Sequence, residues 1–88
     1  MSHNPYIRPG QVWADNDRRC EGRTVRVDVV DGTYAYCTVL TNIAWVQQRI
    51  EAGKEQSDQR GTKTRLMLRR MRPTSTGWRL AQDTIRED

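Results

Sequence analysis

The feature that most constrains the fold is a pair of strand-like stretches on either side of Asp31-Gly32. In residues 23–30, Val25, Val27 and Val29 alternate with the polar residues Thr24, Arg26 and Asp28, a period of two that is typical of a strand with one buried face. Residues 34–41 are rich in β-branched and aromatic side chains, and Asp-Gly commonly forms the turn between two paired strands. These stretches predict a β-hairpin and a mainly β fold.

The register of this hairpin follows from its apolar residues. A two-residue loop would set Val27 opposite Tyr36, whereas a three-residue loop with a left-handed Gly32 would set small apolar residues opposite one another. We prefer the second register because it gathers the apolar side chains of both strands on one face. It predicts three cross-strand pairs, which are Val25 with Val39, Val27 with Cys37, and Val29 with Ala35.

Three shorter segments, at 11–13, 62–68 and 78–80, predict further strands because turn-forming residues separate them from their neighbours. Five short strands favour a small SH3-like barrel or a curled sheet, closed so that its edges are hidden. Trp13 and Trp78 are expected in the core. The other residues predicted inside are Val25, Val27, Val29, Cys37, Val39, Leu66, Leu68 and Leu80.

The period changes within an insertion at residues 42–61. Ile43, Val46 and Ile50 have the spacing of one helix face, and Gly53 stands where a helix would end. The residues that follow the glycine, 54–60, contain no apolar side chain and predict a polar, mobile loop. We therefore expect one short helix before the last two strands.

The length of the chain limits it to one domain, which we place at residues 9–80 with tails at 1–8 and 81–88. A chain of 88 residues buries only roughly 60–65% of its surface on folding, so the core must be thin. No run of about 20 apolar residues is present, and the N-terminus lacks the features of a signal peptide. A cytoplasmic location without a membrane partner is expected.

Basic residues are concentrated in the last third of the chain. Residues 60–82 contain seven of them and no acidic residue, although the whole chain has 15 Lys and Arg against 11 Asp and Glu. Arginine predominates, and its planar guanidinium suits phosphate contacts and stacking on bases. The alternation also places two tyrosines on the outward face of the hairpin, beside an arginine, as in sheets that bind single-stranded nucleic acid. The predicted residues for binding DNA or RNA are Arg26, Tyr34, Tyr36, Lys63, Arg65, Arg69, Arg70, Arg72 and Arg79.

The arginines and the tyrosines are also compatible with purely structural roles, and the sequence leaves this choice open. A run of arginines is often a solvated surface, and the two tyrosines would equally well form a second small core under the insertion. A different function is a protein-interaction module, in which the inserted helix supplies an apolar contact and the basic residues meet an acidic partner. Its residues would be Ile43, Trp45, Val46 and Ile50, and an exposed Trp45 would also serve a homodimer.

Residue types that support catalysis or metal binding are sparse. His3 is the only histidine, and Cys20 and Cys37 are too far apart for a CxxC zinc or redox site. Cys37 alternates with Ala35 and Val39 and is expected to be buried, whereas Cys20 is expected to be an exposed thiol. No paired carboxylates, Ser-His arrangement or glycine-rich phosphate loop is present. We therefore expect neither an enzyme nor a bound metal or cofactor.

Four segments carry a family resemblance. They are residues 9–13, the strand at 22–27, the Asp31-Gly32 turn and the ending at 72–80. Together they resemble a group of short, uncharacterised proteins of actinobacterial phages that look like SH3-like or KOW-type small β-barrels. The resemblance implies this fold but no activity, because the shared motifs are structural. It would make a protein-interaction module a phage-encoded modulator of a host protein, acting in the host cytoplasm.

The opening Gly10-Gln11-Val12-Trp13 is also similar to the first strand of MazF-like toxins, which are SH3-like endoribonucleases. This resemblance would imply RNA cleavage by an arginine and a hydroxyl group. The Arg-Pro pair that follows in that family is absent here, and the chain is shorter. An endoribonuclease is therefore a remote alternative.

Overall fold

The fold is built on the predicted hairpin, to which further strands add on both sides. The computed structural model describes residues 7–83, and within this range five antiparallel strands form one sheet. The strands are β1 (Val12–Asp15), β2 (Thr24–Val30), β3 (Tyr34–Thr41), β4 (Lys63–Met67) and β5 (Trp78–Gln82). The helix α1 (Ala44–Glu51) joins β3 to β4, and short 3-10 turns lie at Arg18–Cys20 and Leu68–Arg70. The strand order across the sheet is β4-β3-β2-β1-β5.

The middle of the β2–β3 hairpin has the predicted register. Val25 lies opposite Val39, and Val27 lies opposite Cys37. All four side chains are buried, because the alternation of each strand turns them to the same face. This apolar face, which we call the inner face, carries the core.

Near the turn, the register differs from the prediction. A bulge between Val27 and Val29 shifts the pairing, so that Val30 rather than Val29 lies opposite Ala35. A bulge adds one residue to one strand, and the residues beyond it change faces. The expectation that Val29 lies inside is therefore wrong, and its side chain is 57% exposed.

The turn also closes by a different means from the one predicted. Gly32 does not have a positive φ angle. Instead, the Asp31 carboxylate accepts hydrogen bonds from the backbone N–H groups of Thr33 and Tyr34, both at 2.7 Å. An aspartate that accepts bonds from residues just after it makes a turn without a left-handed glycine.

The core contains the two predicted tryptophans and most of the predicted aliphatic residues. Its buried members are Ile7, Trp13, Val25, Val27, Ala35, Cys37, Val39, Leu66, Met71 and Trp78, with Leu68 partly buried against them. Leu80, predicted inside, is 42% exposed, because β5 is an edge strand with a neighbour on one side only. Ile7 and the end of β5 also lie outside the predicted limits of 9–80.

A buried glutamine joins the two ends of the described chain. Gln11 is fully buried, and its Oε1 accepts hydrogen bonds from the Trp13 indole N–H and the Arg8 backbone N–H, both at 3.0 Å. Its Nε2 donates to Asp83 at 2.9 Å. The bond to Trp13 satisfies the polar end of a buried indole, which would otherwise be costly.

The predicted helix is present, and its first turn contacts the connection between β1 and β2. The Ala44 N–H donates to the Glu21 carbonyl oxygen at 2.7 Å. Gly22 has a φ of +99°, and a Cβ there would lie 3.0 Å from the Ala44 nitrogen. Glycine is therefore required where this connection approaches the helix.

The polar loop after the helix is held by one buried amide. Asn42 Nδ2 donates to Asp58 at 3.0 Å and to Gln47 at 2.8 Å, and Asn42 Oδ1 accepts the backbone N–H of Gln59 at 2.8 Å. These bonds replace the apolar contacts that the loop sequence lacks.

The sheet is open within residues 7–83, since β4 and β5 are its edges and do not pair with each other. The described structure is thus a mainly β fold with one five-stranded antiparallel sheet and one helix. Closure into an SH3-like barrel is considered below as a proposal.

The loop before β5 provides a test of the fold. A Cβ at Gly77 would overlap the carbonyl oxygen of Arg72 and the side chain of Thr74, so we expect Gly77→Ala to lower the free energy of unfolding by about 1–3 kcal/mol. Gly32→Ala is the matched control, because its Cβ would meet no atom within 4 Å and its change should stay within about 0.5 kcal/mol. Urea unfolding of both variants measures the difference, and equal stabilities would contradict the described loop.

Candidate nucleic-acid interface

Aromatic and basic side chains lie together on the outer face of β2, β3 and β4, opposite the core. Tyr36 pairs with Arg65, and Thr38 pairs with both Arg26 and Lys63. Residues that lie directly opposite one another on neighbouring strands project from the same face. We call this surface the aromatic-basic face, and its aromatic and basic members are Arg26, Tyr34, Tyr36, Lys63 and Arg65.

Tyr34 and Tyr36 have different surroundings. The guanidinium carbon of Arg65 lies 4.4 Å from the centroid of the Tyr34 ring, which is cation–π geometry. Tyr34 is half-buried, whereas Tyr36 is 37% exposed. The two ring centroids are 6.1 Å apart with planes tilted by 49°. Tyr34 therefore supports Arg65, and Tyr36 presents the more accessible ring.

The hairpin turn orients the Tyr36 ring. The Tyr36 hydroxyl donates to Asp31 at 3.1 Å, and this bond to a carboxylate raises the pKa of Tyr36. The pKa of Asp31 is lowered, mainly by the backbone N–H groups of Tyr34 and Thr33. The same aspartate thus closes the turn and fixes the ring.

Asp28 is an acidic residue within the aromatic-basic face. Its carboxylate accepts hydrogen bonds from the Thr38 hydroxyl at 2.5 Å and from Arg26 Nε at 3.0 Å, and Lys63 Nζ lies 3.7 Å away. The Thr38 hydroxyl, followed by Arg26 and Lys63, lowers the pKa of Asp28. Asp28 therefore stays ionised at neutral pH and offsets part of the charge of both basic residues.

Other predicted basic residues lie beyond β4. Arg69 and Arg70 lie in the 3-10 turn after the strand, where Arg70 donates to the Thr76 carbonyl oxygen at 3.1 Å. Arg69 and Arg72 are exposed, and within residues 7–83 their side chains form no hydrogen bond or ion pair. Arg79 lies on β5, at the other edge of the sheet from β4, and donates to Asn16 at 2.7 Å. The structure thus separates Arg79 from Lys63 and Arg65 by three strands.

Folding reduces the charge segregation seen in the sequence. Acidic residues from earlier segments approach the basic stretch, as Asp58 does with Arg60 and Asp28 with Lys63. Within the described part of the chain, Arg65 forms no ion pair, and neither do the two arginines Arg69 and Arg72. Together with Arg70, these residues form a cluster of arginines without an ion pair on β4 and the turn after it, although Arg8, Arg18, Arg49, Lys54 and Arg79 also lack one within residues 7–83.

Away from the aromatic-basic face, a cleft of about 400 Å³ lies beside Arg79 at the connection between β1 and β2. Both signs of charge line it, since its lining includes the acids Asp15, Asp17 and Glu21 and the arginines Arg18, Arg23 and Arg79. Arg23 Nε lies 3.5 Å from Asp15. The cleft carries no clear excess of positive charge and is a weaker candidate for an anionic ligand.

The inserted helix presents one large apolar side chain to the surface. Trp45 is 54% exposed, whereas Ile43 and Ile50 are half-buried and Val46 is buried. Of the four residues predicted for a protein contact, Trp45 is thus the exposed one.

The cysteines and the metal-ligating residues offer no site in the described range. Cys37 is buried as predicted, but Cys20 is half-buried rather than exposed. Burial raises the pKa of Cys37 to about 11, and burial, followed by the nearby Asp15 charge, raises the pKa of Cys20. No group of three His, Cys, Asp or Glu residues within 7–83 is placed to hold a metal ion, and His3 lies outside these residues.

Sequence reasoning missed Asp28 and Thr38 as members of the site. The alternation of the strands places both on the outward face, but their proximity to Lys63 depends on the pairing of β3 with β4. Nothing local in the sequence specifies that pairing.

No helix in residues 7–83 has the length and apolar character of a membrane span. Comparison of the chain with models of protein families, with curated protein sequences and with solved structures gave no match. The resemblance to actinobacterial phage proteins therefore stays a prediction.

Proposed function

We propose that this protein is a small binding module for nucleic acid with low sequence specificity. The observation that carries the proposal is the stack of Arg65 on Tyr34 beside the exposed ring of Tyr36. A guanidinium next to an accessible aromatic ring offers a contact for a phosphate and a surface for a base on the same few strand positions.

The unpaired arginines suggest how the backbone of the ligand would be bound. Arg65 lies on β4, and Arg69 and Arg72 follow it without acidic neighbours in ion-pair contact among the described residues. Neutralising phosphates with such side chains releases counterions, which makes the affinity depend on salt and not on sequence. Low sequence specificity follows, because stacking accepts every base and phosphate contacts do not distinguish bases.

The same proposal includes the finer description of the fold, an SH3-like small barrel. Its support is that β5 returns to pair with β1, so that the first and last strands are neighbours, and that Met71, between β4 and β5, is fully buried. We also propose that the protein acts as a cytoplasmic binding module without catalytic activity or a cofactor.

Exposed Trp45 favours a second candidate function, contact with an acidic protein or with another copy of the chain. An exposed tryptophan is a frequent centre of protein interfaces. The two functions use different surfaces, since Trp45 lies on α1 and the aromatic-basic face lies on β2, β3 and β4. Substitutions on α1 therefore test the protein contact, and substitutions on the aromatic-basic face test nucleic-acid binding.

The salt dependence of binding tests the main proposal. We expect the double variant Arg69→Gln/Arg72→Gln to weaken binding to a random-sequence single strand and to reduce the slope of log affinity against log salt by about 1.4, at roughly 0.7 for each phosphate contact. The thermal stability of the variant should be unchanged, because neither arginine side chain forms a hydrogen bond or an ion pair within the described residues. Fluorescence anisotropy at several salt concentrations provides the affinities and the slope, and a thermal melt of each protein provides the stability.

The matched control for this experiment is Arg49→Gln/Lys54→Gln, which removes two positive charges from the inserted segment. We expect it to leave the slope unchanged. Equal losses in both double variants would show a nonspecific effect of net charge. Wild-type protein that binds neither DNA nor RNA at low salt would overturn the proposal and favour the protein-contact function.

Asp28 provides a test in which the substitution should strengthen binding instead of weakening it. We expect Asp28→Asn to strengthen binding about two- to fivefold at low salt, since removing one partly exposed charge corresponds to roughly 0.5–1 kcal/mol. The substitution keeps an oxygen that accepts the Thr38 hydroxyl and removes the charge that Arg26 and Lys63 share, although Lys63 Nζ still donates to the Thr38 hydroxyl at 2.8 Å.

Glu55→Gln is the control for Asp28→Asn, because it makes the same change of charge at an exposed position of the inserted loop. It should leave the affinity almost unchanged. An Asp28→Asn protein that folds but binds no more tightly than Glu55→Gln would place the ligand elsewhere.

A further inference from the structure

We infer that the aromatic-basic face selects unpaired nucleotides, with one base stacked on Tyr36 and the adjoining phosphate on Arg65. This inference rests on the proposed nucleic-acid binding and assigns its ligand class. It depends on four features of the face, which are the separate roles of the two tyrosines, the exposed Val29, the position of Arg65 and the shallow shape of the surface.

The first feature is the difference between the tyrosines. The guanidinium of Arg65 already covers Tyr34 at 4.4 Å, so Tyr34 is a positioning residue for Arg65. The Tyr36 ring is more exposed, and its hydroxyl is fixed by Asp31. A ring that is exposed and held in place loses little freedom when a base stacks on it.

The second feature is Val29. The bulge in β2 turns this valine to the outer face and sets it opposite Tyr36, where its side chain is 57% exposed. The exposed part of this β-branched side chain contributes no burial energy to the fold. Beside Tyr36, however, it enlarges the apolar surface on which the flat face of a base would lie.

The third feature is the position of Arg65. It lies directly opposite Tyr36 in the pairing of β3 with β4, and the Cβ atoms of such a pair are about 4.5–5.5 Å apart. A base stacked on the ring would therefore bring its own phosphate within reach of the long guanidinium side chain. Lys63, two residues along β4 on the same face, would reach the next phosphate.

The fourth feature is the shape of the surface. An open groove of about 530 Å³ runs along this part of the sheet, and it is lined by Asp28, Tyr36, Cys37, Lys63, Thr64 and Arg65. Its size is within the range of sites for small ligands.

In a duplex the faces of the bases are covered by their neighbours, and extruding one base costs a few kcal/mol. Tyr36 can therefore stack on the base of a single strand without that cost.

The test compares single-stranded and duplex oligonucleotides of about 15 nucleotides, as DNA and as RNA, at one salt concentration. We expect wild-type protein to bind single strands at least about fivefold more tightly than duplexes, the lower limit for one stacked base. We expect Tyr36→Leu to reduce that preference by the same factor, through weaker binding to the single strands.

Two control variants accompany Tyr36→Leu. Tyr36→Phe keeps the ring and removes the bond to Asp31, so it should retain most of the preference for single strands. Trp45→Leu removes an exposed aromatic side chain from α1 and should have no effect. Circular dichroism checks that each variant is folded, and the preference of the wild-type protein needs no variant at all.

The outcomes separate this inference from the proposed function. Equal affinity of wild-type protein for single strands and duplexes would overturn the inference and leave the proposed function in place. A folded Tyr36→Leu protein with an unchanged preference would do the same. Absence of binding to every oligonucleotide at low salt would overturn both.

Discussion

Because successive side chains of a strand point to opposite faces, the pairing of β2 with β3 determines both the core and the candidate site. Val25 and Val27 lie inward against the small apolar residues of β3, and this commits Arg26 and Thr38 to the outer face. The addition of β4 then brings Lys63 and Arg65 beside them. A slip of the hairpin by one residue would exchange the two faces and destroy the core and the candidate interface together.

The bulge in β2 modifies this arrangement at one place. It allows Val30 to take the inward position opposite Ala35 and leaves Val29 exposed beside Tyr36. Asp31 then closes the turn and binds the Tyr36 hydroxyl. The bulge and the turn thus determine which side chains form the candidate ligand surface at this end of the hairpin. Bulges are common next to functional sites, because they redirect side chains that a regular strand would hold on one face.

Local patterns are sufficient to predict the hairpin, the helix, most of the core and the outward direction of Tyr34, Tyr36 and Lys63. They are insufficient wherever a residue depends on distant parts of the chain. Leu80 has the pattern of a core residue but lies on an edge strand. The basic stretch is free of acids in the sequence, yet pairing of β3 with β4 brings Asp28 to Lys63. Such contacts join segments tens of residues apart, and the period of a single strand carries no information about them.

The central claim is that the outer face of β2, β3 and β4 is the ligand surface. Amide NMR spectra recorded during titration with a single-stranded oligonucleotide at low salt test it most directly, because each amide reports on its own surroundings. We expect the largest shifts at Val29, Tyr36 and β4, while the amides of α1 stay unchanged. Shifts confined to α1 around Trp45 would contradict the claim.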